Sequence, residues 1–324
     1  MSKKVLYVTN MWPTHKTPWL GTFVKTQVDS LNDIGLDIDV YNISSKKSEG
    51  SNLNYIKAVI YLFFKLLKGK YDCIHLQHWI CWVVVLPVFW VRKVYTVHEG
   101  EFFLGGYRKF FINLAIKFSS KVIFVNQYMY REYIKRDESN NDKYFFIPCG
   151  VDEAKFYKLG RDECKKKLGL RADKKYIFFP ASPYRKEKNA AFLEAWNERY
   201  NGCENCNVEI IWGGSISYDL MPTWMSASHC VLTLGDYESD GMVVKESISC
   251  GTPVISFDVG NSNLYIESEQ CGTVIKRNLA ELDKAITKVI TLEESDKSLL
   301  NHSYNLVNTA HSVKAVYSTL ARSQ

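Results

Sequence analysis

The sequence predicts an α/β chain of two doubly wound, Rossmann-like domains, and three observations carry that prediction. Short apolar strands alternate with helical stretches from Val5 onward, as the crossovers of a parallel sheet require. The alternation breaks at a polar, charged stretch over residues 149–173 and restarts at Tyr176. A length of 324 residues, 46% hydrophobic and 23% charged, is ordinary globular material with room for two cores.

Taken in order, residues 5–9 read as a strand, and a loop rich in Pro, Thr and Trp leads through Gly21 into an amphipathic helix at 23–34. Residues 38–41 form the next strand and complete a βαβ opening. Strands at 73–76, 93–97, 122–125 and 144–147 follow, each separated by a helical stretch, and the first domain is expected to span 1–160. The second, expected at 161–305, begins with the strand YIFFP at 176–180 and a helix at 189–199. A strand at 208–212, Gly213-Gly214, a helix at 222–227 and a strand at 230–234 come next, then a helix at 243–249 and a strand at 252–257. The tail from Ser295 to Arg322 reads as helical, with 306–324 as a separate C-terminal helix, and there is no sequence repeat beyond this doubling.

Composition narrows the partners. The formal net charge of +6 is spread along the chain, which permits attraction to phosphorylated ligands or anionic lipid without calling for nucleic acid. Nine cysteines is an odd number, and the N-terminus runs straight into a strand pattern with no cleavable apolar segment. Reduced thiols and a cytoplasmic location are the expectation. Cys203 and Cys206 form a lone CxxC with no second pair at zinc spacing, and read as a polar turn. The apolar run 79–91 is too short for a bilayer, which takes about 20 residues. Residues 56–67, IKAVIYLFFKLL, interleave aromatics with Lys57 and Lys65, and Lys68 and Lys70 follow. Two readings stay open there: contact with a membrane surface, or a helix packed on the sheet with solvated lysines.

The densest chemistry lies in residues 237–260, YESDGMVVKESISCGTPVISFDVG. Glu238 follows a strand and Glu246 lies on the next helix, so both carboxylates can face the crevice at the carboxyl edge of the sheet, where doubly wound domains bind ligands. Gly241 allows close backbone approach, and the free N–H groups of Met242 and Val243 at the helix start suit a phosphate. Ionised carboxylates suit sugar hydroxyls, each accepting from more than one donor. By spacing alone, capping and surface charge explain the two glutamates equally well.

This segment resembles the E-x7-E signature of retaining glycosyltransferases of the GT-B fold, family 4 (group 1), followed by that family's AcGtPVi run, here Ser249 to Ile255. The resemblance continues through Gly21-Thr22-Phe23, TVHEGE at 96–101, FIPCGVD at 146–152, RKEKN at 185–189 and IIWGG at 210–214. It implies two Rossmann-like domains facing each other across a cleft, the C-terminal helix crossing back to the first. It also implies that Glu238 contacts hydroxyls of the donor sugar, Glu246 holds the nucleotide ribose, Arg185 and Lys188 grip the diphosphate, and His98 stands near the reacting sugar. Gly21, Gly214, Gly241, Met242 and Val243 complete the implied donor-binding set. The residue chemistry agrees: two cations at the end of strand 176–180 neutralise a leaving pyrophosphate, and His98 opens a polar stretch at a sheet edge. Glu99 and Glu101 are weaker candidates for an acceptor-side base and receive no catalytic role.

The sequence departs from the family pattern in places. Ser239 replaces the usual glycine, and Asp240 is expected to place a negative charge near the phosphate site, which bears on donor choice. Cys149 stands for an asparagine, and Ala181-Ser182 for a glycine-arginine pair, leaving Arg185 to supply that charge. Asp37-Ile38-Asp39 resembles the metal-binding DxD of the other major glycosyltransferase fold, but its alternation more simply marks one polar strand face.

The sequence therefore leads to an expectation of a retaining transferase that moves a sugar from a nucleoside-diphosphate-sugar to an acceptor hydroxyl without metal or other cofactor. The expected acceptor is a saccharide or lipid-linked saccharide of envelope or capsule synthesis, with peripheral contact at the inner membrane face. No residue is an evident glycosyl nucleophile, which favours a front-face route assisted by the departing diphosphate. A catalytically weak nucleotide-sugar binding or scaffold subunit, and a same-fold nucleotide-sugar epimerase, are the alternatives.

Overall fold

The computed structural model describes residues 3–44, 50–98, 105–137, 142–200, 208–294 and 298–320. The chain divides into two compact units, residues 1–150 with 306–324, and residues 151–305. The division falls at Gly150 rather than at 160, because Val151 and Phe156 are buried in the second unit's core and Val151 pairs with Asn305 in an isolated parallel bridge.

The first unit is built from β1 (Lys4–Thr9), α1 (Thr22–Asp33), β2 (Asp37–Asn42), α2 (Leu53–Lys68), β3 (Cys73–Leu76) and α3 (Trp79–Val84). It continues with β4 (Lys93–Val97), α4 (Gly106–Phe118), β5 (Lys121–Phe124), α5 (Gln127–Arg136) and β6 (Tyr144–Phe146). Its six strands are parallel in the order β2-β1-β3-β4-β5-β6. The central strands are buried throughout, as in a sheet covered on both faces. The order reverses between β1 and β3, which makes that junction the topological switch point. Asp37 and Asp39 both face Lys4, at 3.7 and 3.6 Å, as one polar side of β2.

The second unit comprises α6 (Arg161–Leu168), β7 (Lys175–Phe179), α7 (Ala190–Tyr200), β8 (Val208–Trp212), α8 (Met221–Ala227) and β9 (Cys230–Thr233). After it come α9 (Met242–Ser249), β10 (Val254–Phe257), α10 (Ser262–Tyr265), β11 (Gly272–Ile275) and α11 (Leu279–Val289). The parallel order β11-β10-β9-β7-β8 repeats the winding of the first sheet, with its switch point between β7 and β9. The SCGTPVI run makes the turn from α9 into β10. Gly251 occupies the left-handed region at φ 70°, its N–H donates to Ile248 O at 3.0 Å, and Thr252 N–H donates to Ser247 O at 3.0 Å, closing a Schellman motif before Pro253 ends the helix.

The described part of the tail is not helical from its start: residues 298–305 hold only one 3₁₀ turn, and α12 (Leu306–Ser318) begins later. Long-range bonds, Leu299 N–H to Ile248 O at 3.2 Å and Val151 N–H to Tyr304 O at 2.9 Å, occupy backbone groups that a helix would need internally. Helix α12 then returns to the first unit, where Ala310, Val313, Val316 and Tyr317 join Val5, Tyr7, Val28 and Leu31 in one core. Tyr317 also completes a buried polar chain, its hydroxyl meeting Tyr7 Oη at 3.0 Å and His75 Nδ1, while His75 Nε2 meets Thr96 Oγ1 at 2.6 Å. Burial pushes the His75 pKa down to about 3, so the ring is neutral in the fold.

Candidate active site

In the second unit, the loops after β7 and β9 carry most of the sequence-derived candidates, and the structure ties the two loops together. Asn189, held at φ 58°, donates from Nδ2 to Leu234 O at 2.9 Å and to Asp236 Oδ1 at 2.7 Å. The Asp236 N–H in turn donates to Glu187 O at 2.8 Å. This stitching brings Lys188 against Glu238, and the ammonium donates to Oε1 of the carboxylate at the switch point of the sheet. Arg185 lies in the same turn, but its Nε and Nη2 both reach one oxygen of Glu187, Oε1, at 2.8 and 2.7 Å. Gly214 serves a packing need here: a Cβ at that position would lie 2.8 Å from Ser182 Cα in the loop after β7.

Helix α9 starts at Gly241, whose φ of 94° few side chains tolerate, so the N–H groups of Met242 and Val243 open the helix with no side-chain cap. Glu246, further along α9, is buried and accepts from the Tyr218 hydroxyl at 3.0 Å. Burial pushes its pKa up to about 7, against the opposing pull of Tyr218, Lys245 and Lys155. Lys155 stands 4.0 Å above the Tyr218 ring, which braces that phenol.

Asp240, expected to place a negative charge near the phosphate site, has that charge paired within the unit. Asp240 is turned inward, Lys245 Nζ lies 2.6 Å from its Oδ2 with the lysine fully buried, and Oδ1 accepts from Asn261 Nδ2 at 2.7 Å and from the Tyr265 hydroxyl. The carboxylate's charge is thus matched beneath the start of α9 rather than offered to a phosphate. Sequence reasoning missed Lys245, Asn261, Tyr265, Tyr218 and Asn189. Lys245 directly precedes Glu246 and was readable as polar, but its partner lies across a helix cap, and Tyr218 is remote in sequence from the glutamate it serves.

In the first unit, His98 follows β4 and gathers Gln77 and parts of two other motifs, Phe23 and Cys149, around it. Its Nε2 meets Gln77 Oε1 at 2.7 Å; because that oxygen only accepts, Nε2 carries the hydrogen and Nδ1 turns toward Cys149 Sγ at 3.9 Å. The Phe23 ring packs on the imidazole at 4.9 Å between centroids. Gly21, two residues earlier, has φ 70°, and a Cβ there would lie 2.3 Å from Met11 O, so the loop after β1 closes only on a glycine. Glu99, Gly100, Glu101, Cys203, Cys206 and Ser295 lie outside the described residues. The cysteines at 73, 81, 149, 164, 230, 250 and 271 are buried thiols outside any disulfide.

A depression of ≈ 390 Å³ beside α7 and β8 is lined by Glu194, Glu198, Glu209 and Trp212. Its three carboxylates repel anionic ligands. No described helix is long and apolar enough to cross a membrane.

Two parallel sheets of one winding, with cations, carboxylates and an open helix start at a switch point, define the GT-B class of glycosyltransferases. The chain belongs to the group 1, family 4 glycosyltransferases: residues 27–155 match the family described as Glycosyltransferase Family 4, and residues 200–305 match Glycosyl transferases group 1. No curated protein matches it in sequence. Among solved structures it is similar to a sucrose-phosphate synthase from Thermosynechococcus elongatus, with 16% identity, coverage of 97% of this chain and 95% of that one, and a TM-score of 0.72. A glycosyltransferase from Rickettsia africae gives 13% identity, 98% coverage of each chain and a TM-score of 0.72. Anabaena HepE in complex with UDP gives 16% identity, coverage of 98% of this chain and 100% of that one, and a TM-score of 0.70.

Proposed function

We propose that this glycosyltransferase moves a sugar, with retention of configuration, from a nucleoside-diphosphate-sugar held by the second unit to an acceptor hydroxyl recognised by the first. The observation that carries the reading is the Lys188–Glu238 pair at the β7/β9 switch point. A diphosphate that draws Lys188 to itself leaves Glu238 to accept from sugar hydroxyls, while the first N–H groups of α9 add further donors. Glu246, buried with Tyr218, takes the ribose hydroxyls. As the sugar–phosphate bond breaks, Lys188 and Arg185 offset the charge growing on the leaving diphosphate, in the role a metal plays in other transferases. The new bond forms between the acceptor oxygen and the same sugar carbon on the same face, and the acceptor proton passes to the departing phosphate oxygen. His98, with Nε2 held by Gln77 and Nδ1 beside Cys149, lies on the acceptor-recognising unit.

The acceptor class that fits a cationic, partly apolar first unit is a saccharide, free or lipid-linked, of envelope or capsule synthesis at the cytoplasmic membrane face. Support for a nucleotide donor comes also from Anabaena HepE, a protein of the same fold that was seen with UDP and with UDP-glucose.

A thermal-shift screen across UDP-, GDP-, ADP- and TDP-sugars tests the donor assignment, with one base expected to raise the melting temperature well above the others. NMR of the product then reads the anomeric configuration. No shift with any donor, or an inverted product, contradicts the proposal.

A further inference from the structure

The first unit carries an apolar face that its own core does not cover. Helix α2 turns Ala58, Leu62 and Leu66 inward, yet its opposite side is as apolar as the buried one. Ile56, Ile60, Phe64 and Leu67 form that outward stripe, Ile60 being 58% and Phe64 56% exposed. A helix with apolar stripes on two opposite sides is ordinarily enclosed, and this one is not. Lys57 and Lys68 stand along one margin of the stripe.

The face extends beyond α2. Phe64 packs edge-on against Phe63 at 5.6 Å, Phe63 against Trp90 at 5.5 Å, and Trp90 against Phe89 at 5.4 Å, with Phe89 85% exposed. Helix α3 then bridges to α4, Trp79 stacking on Phe111 at 5.3 Å and Trp82 on Phe118 at 6.3 Å, and α4 exposes Phe110 and Phe118. Residues 53–71, 79–93 and 105–119, which make up this face, contain nine Lys and Arg and no Asp or Glu.

We infer that this face docks on an anionic lipid bilayer, with the apolar stripe of α2 and the Phe89–Trp90 tip set into the headgroup boundary and the lysines against lipid phosphates. Aromatic side chains with a wet edge suit that depth, and acid-free cationic margins suit a negative surface. The same charge argues against a second copy of the chain, which would bring two cationic faces together. The inference stands on the first unit alone and does not depend on the donor assignment in the second.

The test is flotation of the full chain with vesicles of phosphatidylcholine alone or with about 30% phosphatidylglycerol, at low and high salt. The wild type is expected to float with the anionic vesicles at low salt and to be released by salt. Ile60→Glu/Phe64→Glu and, separately, Phe89→Glu are expected to lower the partition coefficient about tenfold or more, with Lys57→Gln/Lys68→Gln losing a smaller factor. The exposed Val307→Glu on α12 controls for added charge and should float like wild type. Melting temperatures confirm that each variant is folded, and the substituted side chains already face solvent. Wild type that stays with neither vesicle, glutamate variants that float like wild type, or a soluble dimer that these substitutions dissolve would each overturn the inference, the last assigning the face to a protein partner.

Discussion

At the switch point of the first sheet, between β1 and β3, the loops bring a glycine turn and Gln77 toward His98, whose described neighbours Phe23, Gln77 and Cys149 are all neutral. At the equivalent point of the second sheet, between β7 and β9, the loops bring Lys188 to Glu238 and set a buried Lys245–Asp240 pair beneath α9. The winding is the same and the side chains differ in kind. A parallel sheet dictates where a ligand can sit, at the carboxyl ends of its strands, but leaves the loops free to decide which ligand. Lys188 and Arg185 beside the second switch point suit a diphosphate.

The units also differ in what holds them together, and the largest expected effect lies there. Cutting the chain after Ala310 removes Val313, Val316, Tyr317 and Leu320 from the first core and leaves Tyr7 and His75 without their partner. At about 1.5–3 kcal/mol for each buried apolar side chain, the loss matches the whole stability of an ordinary domain. The first unit should become protease-sensitive while the second keeps a cooperative transition; a fully resistant first unit would show that α12 is dispensable. Next, Asp240→Ala strands a buried ammonium and should cost about 3–5 kcal/mol in denaturant unfolding, with Asp240→Leu/Lys245→Met recovering most of it. Failure of the double variant to recover would give the pair a role beyond charge matching.

Tyr317→Phe should cost about 1–3 kcal/mol by leaving His75 Nδ1 without its hydroxyl partner. The pH dependence has opposite signs in the two units. His75 has its folded pKa depressed to about 3 from 6.5, so the unfolded chain takes up the proton first and this contribution is lost as pH falls from 6.5 toward 3. Glu246 has its folded pKa raised to about 7 from 4.5, so its contribution weakens as pH rises across that window. Glu246→Gln should therefore raise the melting temperature by a few degrees at pH 8 and hardly change it at pH 4. The smallest effect concerns binding: since the ionised carboxylate accepts from both ribose hydroxyls, donor affinity should rise severalfold between pH 6 and pH 8 in wild type and stay flat in Glu246→Gln.

Much of this was legible in the sequence for identifiable reasons. Strands 73–76, 93–97 and 208–212 announce themselves because each is a short apolar or β-branched run bounded by turns, and each forms as read. Glu238 and Glu246 were singled out by the resemblance to the E-x7-E signature, since their strand-to-helix spacing alone left capping and surface charge equally open. Lys245 with Asp240, Asn261 and Tyr265 was not, since that network exists only once α9 and α10 pack together. The tail at 298–305 was misread as helix because its composition permits one and its distant backbone partners leave no local mark.

The comparison of the two units is tested most directly by calorimetric titration of the preferred nucleotide-sugar into wild type, Glu246→Ala and His98→Ala. Donor affinity is predicted to fall about tenfold or more in Glu246→Ala, the size of a lost charged hydrogen bond, and to stay within about twofold of wild type in His98→Ala. Unchanged affinity in Glu246→Ala, or a larger loss in His98→Ala, would contradict the assignment of the donor to the second unit.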